Sequence, residues 1–175
     1  AAGYFELAGR IYERKGKLYV ASKSYILGAE SYFNSNQYKL ARKIAKKALL
    51  LINIVDLSMN AREVLVFLKI QLLLGWIFMV EEEYDTAIYY FKSGMRIINL
   101  NYYKDNSNHR ILTFYKASLY YSIGQIYTKK GLYKHSLDNF SKALEIYQNM
   151  KDRPLSKIGW TYSNIAGVYM RNRDY

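Results

Sequence analysis

The chain has 175 residues, 51% of them apolar, and carries 26 Lys and Arg against 14 Asp and Glu, a net charge of +12. That much apolar content excludes a disordered tail and is enough to bury the core of one domain. There is no cysteine, which excludes thiol nucleophiles, disulfide frameworks, iron–sulfur clusters and cysteine-ligated zinc, and the two histidines, His109 and His135, leave little for a histidine-built metal site.

From the start, Ala1 to Arg14 has no apolar stretch behind a basic beginning, so no secretory signal is read there and a cytoplasmic location is expected. Lys15-Gly16 is a helix stop, Lys17 to Phe33 reads as one helix, and Asn34-Ser35-Asn36 ends it. Between Tyr38 and Lys47, the residues Lys39, Arg42, Lys43, Lys46 and Lys47 recur at helical spacing on one face, with Ala41, Ile44, Ala45 and Ala48 on the other. The basic face reads as solvated outer surface, or alternatively as a patch for nucleic acid, anionic lipid or an acidic partner. No base-reading motif accompanies it, so specific nucleic-acid recognition is not expected. Asn60-Ala61-Arg62-Glu63 has the form of a capping box. Val64 to Val80 is the most apolar stretch; at 17 residues, with Lys69 and Gln71 inside, it falls short of the ~20 needed to cross a bilayer and is expected to be a buried core helix, not a membrane span. Glu81-Glu82-Glu83 reads as a turn, and a second helix starts near Tyr84. After the polar loop Asn101 to His109 come a helix through Gly124, a stop at Lys130-Gly131 and a helix from Tyr133. Asp152-Arg153-Pro154 opens the last helix, which passes Ala166.

These elements repeat. Counting from Gly124, an aromatic follows at +3 (Tyr127) and +9 (Tyr133), a small residue at +12 (Ser136), a ring at +16 (Phe140) and a small residue at +19 (Ala143). The same offsets from Gly75 give Phe78, Tyr84, Ala87, Phe91 and Gly94; from Ala29, Tyr32, Tyr38, Ala41, Ala45 and Ala48; from Gly9, Tyr12, Leu18, Ala21, Tyr25 and Gly28. From Ala166 they give Tyr169 and Tyr175. A small residue at the origin allows close crossing by a second helix, whose inner stripe is the +12, +16 and +19 residues. Glu82 and Arg173 stand where the other copies have Gly16 and Gly131, so their turns should be strained.

The anchors Tyr120-Tyr121-Ser122-Ile123-Gly124-Gln125-Ile126-Tyr127, with Tyr133, Ser136, Phe140 and Ala143, resemble the tetratricopeptide repeat. The resemblance implies an all-α fold: a right-handed superhelix of stacked antiparallel hairpins, about four of them, the last truncated, forming a single domain over residues 1–175. Origins at 29, 75, 124 and 166 are 46, 49 and 42 apart, longer than the family's ~34. In that respect the chain is similar to the long repeats of bacterial signalling ATPases, transcription regulators and Rap-like sensors. The sequence stops at Tyr175, where a second helix would begin, and a stacked array needs a terminal cap, so a longer parent protein is expected, as is possible end-to-end self-association through the last repeat.

No catalytic set converges, and neither an enzyme nor a cofactor is expected. The resemblance instead implies a protein or peptide bound in the concave groove lined by the first helix of each pair. Candidate groove residues are Leu72, Trp76 and Met79 in the Gly75 copy, Tyr121, Gln125 and Lys129 in the Gly124 copy, and Trp160, Asn164 and Arg171 in the Ala166 copy. The Ala29 copy would contribute Lys23, Ile26, Leu27 and Glu30. Slots that hold a chaperone carboxylate in some family members carry Ile26, Glu30, Leu73, Ser118 and Ser122 here, which cannot clamp an anion. The expected role is a non-enzymatic binding scaffold in a multidomain regulatory protein. A peptide-sensing domain of a transcription regulator, and an electrostatic nucleic-acid or membrane-surface binder, are the alternatives.

Overall fold

The computed structural model describes residues 1–52, 60–101 and 109–173. It is all-α, with eight helices among the described residues: α1 (Ala2–Arg14), α2 (Leu18–Asn34), α3 (Tyr38–Leu51), α4 (Ala61–Val80), α5 (Tyr84–Asn101), α6 (His109–Lys129), α7 (Tyr133–Asn149) and α8 (Leu155–Arg173). The chain divides into two compact units, Ala1–Leu100 and Asn101–Tyr175. In the first, α2 packs on both α1 and α3, and α4 on α2 and α3. In the second, α7 packs on α6 and α8.

The repeat offsets correspond to physical events. Each second helix begins at the +9 residue: Leu18, Tyr38, Tyr84 and Tyr133. Before it, the +7 residue takes the left-handed conformation at Gly16 (φ 68°), Asn36 (φ 59°), Glu82 (φ 61°) and Gly131 (φ 71°). The +8 amide donates back to the +3 carbonyl: Lys17 to Tyr12, Gln37 to Tyr32, Glu83 to Phe78 and Leu132 to Tyr127, each at 2.9 Å. The +7 amide donates to the +4 carbonyl, at 3.0 Å for Gly16 and 3.1 Å for Gly131. These are Schellman closures, which satisfy carbonyls the helix end would otherwise leave unpaired. Glu82 carries the strain expected of it, since a side chain at positive φ costs roughly 1–2 kcal/mol. Arg173 does not occupy the strained turn expected of it: α8 runs on through it, two residues further past its origin than the other first helices, and Tyr175 lies outside the described residues.

At each crossing, the origin residue meets the +16 side chain. A Cβ added to Gly9 would come within 2.6 Å of the Tyr25 ring, and one added to Gly124 within 2.8 Å of Phe140; Gly75 is closed in the same way by Phe91. Where the origin is Ala29, the +16 residue is Ala45, and neither has exposed surface. A large ring thus faces each glycine origin, and the alanine origin goes with a small +16 residue. The inner stripes are buried throughout: Ala21, Tyr25 and Gly28 in α2; Ala41, Ala45 and Ala48 in α3; Ala87, Phe91 and Gly94 in α5; Ser136, Phe140 and Ala143 in α7. Burying each such ring contributes roughly 1.5–3 kcal/mol.

Asn60 caps α4 as its sequence implies. Its side-chain oxygen accepts from the amides of Arg62 (3.0 Å) and Glu63 (3.1 Å), while the Glu63 carboxylate accepts from the Asn60 amide at 2.9 Å. By length and composition α4 could cross a membrane; 67% of its most apolar window is buried within the protein, as in the core helix of a globular unit. Most of the extra-length segments expected at Asp56–Asn60 and Asn101–His109 lie outside the described residues, while His109 is the first residue of α6 and not part of a loop.

Candidate functional site

In the second unit, the crossing of Gly124 and Phe140 sets α6 and α7 close together, and α8 packs behind Pro154, whose carbonyl accepts from the Ile158 amide at 3.0 Å. Ala117, Ala143 and Tyr147 form a buried centre, with Phe114, Tyr120, Tyr121, Ile146, Met150 and Ile158 around it. This packing fixes α6 against α8 and brings four of the expected groove residues together. Asn164 on α8 donates through Nδ2 to the Tyr121 hydroxyl on α6 at 2.9 Å and to the Trp160 carbonyl at 2.8 Å. Gln125, one turn after Tyr121, donates to the same hydroxyl at 3.3 Å. The Tyr121 ring leans on Phe140 with centroids 5.6 Å apart. Burial raises the Tyr121 pKa, and donation by Asn164 opposes part of that rise.

Trp160 stands 54% exposed beside this ladder. The Lys157 ammonium lies 4.8 Å from its ring centroid, and burial lowers the Lys157 pKa. The sequence reading missed Lys157; its only signal was a position one turn before Trp160. Lys129 and Arg171 are exposed. The arrangement offers an exposed indole next to ordered amide and hydroxyl groups, with cations nearby, which can bind a chain but holds no nucleophile and base pair. Among the described residues no three His, Asp or Glu side chains gather as a metal set.

In the first unit, α4 carries Leu72, Trp76 and Met79. Leu72 is 5% exposed and belongs to the core of the unit, so it offers nothing to a ligand. Trp76 and Met79 are half-buried. Beyond Lys69, α4 is apolar on nearly every side, so the offset rule had no polar boundary to mark the open face at Leu72, Trp76 and Met79.

The five basic residues of α3 do not form one free face. Arg42 donates to Glu81 at 2.8 Å and lies 3.8 Å from Glu83. Lys47 pairs with Glu13 at 2.8 Å, and Glu13 also accepts from the Tyr25 hydroxyl at 2.6 Å. These two contacts, Lys47 first, hold the Glu13 carboxyl below its usual range. Arg42 and Lys46 both lie over the Phe78 ring, at 5.6 and 5.5 Å. Lys39 and Lys43 remain exposed, with no ion pair among the described residues.

A search of curated proteins found no match. Residues 117–150 match the family model of the tetratricopeptide repeat, a segment that begins on α6, passes through the Gly124–Phe140 crossing and ends just past α7. The match falls on the copy whose anchors are most complete, and it supports a tetratricopeptide relationship for the hairpin at the heart of the candidate site.

Proposed function

We propose that this chain is a non-enzymatic scaffold that binds a protein or peptide, and that the α6–α8 face of the second unit is one of its contact surfaces. The observation that carries the reading is the Tyr121–Asn164 hydrogen bond beside an exposed Trp160. Aromatic anchors with an amphipathic body dominate binding energy at protein interfaces, and polar groups already held in place reduce the ordering cost of binding. Gln125 and Asn164 would meet the backbone of an extended ligand, with Lys129 and Arg171 favouring some acidic character. Trp76 and Met79 of the first unit are a separate contact surface in this reading. The length of the repeats supports a recruiting or relay role within a multidomain, cytoplasmic regulatory protein of bacterial type.

The test is affinity capture from a lysate of the source organism at two salt concentrations, with Tyr121→Ala/Trp160→Ala and Trp76→Ala as separate comparisons. A partner that survives high salt and is lost with Tyr121→Ala/Trp160→Ala is the expected result. A partner set that is unchanged in a still-folded double variant overturns the assignment to the second unit.

A further inference from the structure

A second surface lies in the first unit, where α2 meets α4. A cleft of about 200 Å³ opens there. Its floor is Ile26 and Val66, both buried, and its walls are the half-buried Leu27 and Leu65. Around it stand three exposed cations, Lys23 from α2 and Arg62 and Lys69 from α4. Among the described residues no Asp or Glu lines it. Among the described residues, none of the three cations forms an ion pair, in contrast to Arg42 and Lys47 nearby on α3. Of the nearest acidic residues by sequence, Glu63 is held on the Asn60 amide and Glu30 lies a turn beyond Ile26, outside the lining, while Asp56 falls outside the described residues.

The arrangement is ordered by the fold. Lys23 and Lys69 hold the same position, six residues before the origins Ala29 and Gly75, so these two helices present a cation at an equivalent point. Arg62 sits two turns before Lys69 on the same face of α4. Its helix start is fixed by the Asn60 cap. The volume is below the roughly 300–1,000 Å³ of a drug-sized ligand site. It suits one anchoring side chain, with the rest of the ligand outside and along the rim. A flat basic surface would suit a membrane; an apolar cleft with cations from both of its helices suits a chain that inserts a residue.

We infer that the α2–α4 cleft receives an acidic segment of a partner protein, one aliphatic side chain seated between Leu27 and Leu65 and its flanking carboxylates paired with Lys23, Arg62 and Lys69. The inference rests on the partner-binding reading above, applied to different residues. Three cations with no ion pair among the described residues, set around an apolar hole, supply both halves of that recognition: desolvation of the anchor and complementary charge.

The experiment uses the full chain and a fluorescein-labelled peptide, Gly-Asp-Asp-Leu-Glu-Asp-Gly, read by fluorescence polarisation. Binding is expected, weakened about tenfold by Lys23→Glu/Lys69→Glu. The variant Lys134→Glu/Lys151→Glu makes the same change in net charge on the second unit and should alter affinity less than about twofold. Replacing the peptide's Leu by Ser should weaken binding several-fold. Far-ultraviolet circular dichroism confirms that each variant is folded. No binding, equal loss in the two charge variants, or indifference to the Leu→Ser change overturns the inference. So does tighter retention of phosphatidylserine vesicles or of an oligonucleotide at matched charge. Peptide binding without capture at the α6–α8 face would sink the reading of the second unit alone, and the converse would sink this one alone.

Discussion

Gly124 has no room for a methyl group, because Phe140 occupies the space a Cβ would need. Gly124→Ala should cost about 1–3 kcal/mol by overpacking, and Phe140→Ala about 3–5 kcal/mol by leaving a cavity. The two should not add. In the Ala29 copy, nature places alanine on both sides of the crossing, so the double variant is expected to cost less than the sum of the singles. A double-mutant cycle by urea denaturation measures the difference; additivity within error would mean ring and glycine are not matched. Glu82 offers the opposite experiment. It sits at φ 61°, in the slot filled by Gly16 and Gly131, and Glu82→Gly should stabilise the protein by about 0.5–1 kcal/mol once the flexibility of glycine in the unfolded chain is counted. Tyr147 gives a pH signature. Its hydroxyl is 3.0 Å from Ser118, and burial pushes its pKa up to about 12, the Ser118 hydroxyl opposing part of the rise. The unfolded chain ionises this tyrosine near its ordinary value of about 10. The stabilisation is therefore complete below pH ~10 and falls as pH rises through the window up to the folded value, by at most about 1.4 kcal/mol per unit. Denaturation of Tyr147→Phe between pH 9 and 12 should show a shallower decline than that of the parent.

At the level of elements, helix starts, stops and inner stripes were legible because each is set by local chemistry. A Schellman turn needs one residue at positive φ, and a crossing needs one small residue; both recur at fixed offsets that survive the change in repeat length. The cap on α4 was legible for the same reason. What could not be read was any choice between partners distant in sequence. Spacing alone set Arg42 and Lys47 on a solvated face; folding carries Glu81 and Glu13 to them, and α3 is tied on both flanks. Likewise, spacing put Leu72 in the groove, whereas neighbouring helices cover it. Tyr121, Gln125 and Asn164 meet where α6 packs on α8, and the offsets placed them on those helices without showing the hydrogen bonds that join them. Tyr169 went the other way. It fills a +3 slot expected to be packed, and it is 53% exposed. The +9 residue it should pack beside, Tyr175, lies outside the described residues.

For the whole molecule, the net charge of +12 invites non-specific attraction to polyanions, so the location of unpaired cations decides how strong it is. On α3 the ion pairs leave Lys39, Lys43 and Lys46 to meet a phosphate backbone. A duplex bound by this face should show a salt dependence of log K no steeper than about −3, three phosphates at about −0.9 each. A much steeper slope in an electrophoretic or anisotropy titration would restore the reading of the whole basic face as functional. One feature of the first unit also bears on how the chain opens. Helix α2 closes the hairpin begun by α1 and starts the one completed by α3, with Ala21, Ser22, Tyr25, Ile26, Gly28 and Ala29 all covered. Its covered residues are shared among α1, α3 and α4, with α1 and α3 the more extensive neighbours. The amides of α2 should therefore be the slowest in the first three helices to exchange with deuterium, and should report a single collective opening shared with α1 and α3. Shortening the array by cutting out a hairpin there would orphan a face on whichever neighbour was left, so this part of the chain can be gained or lost only as a trio.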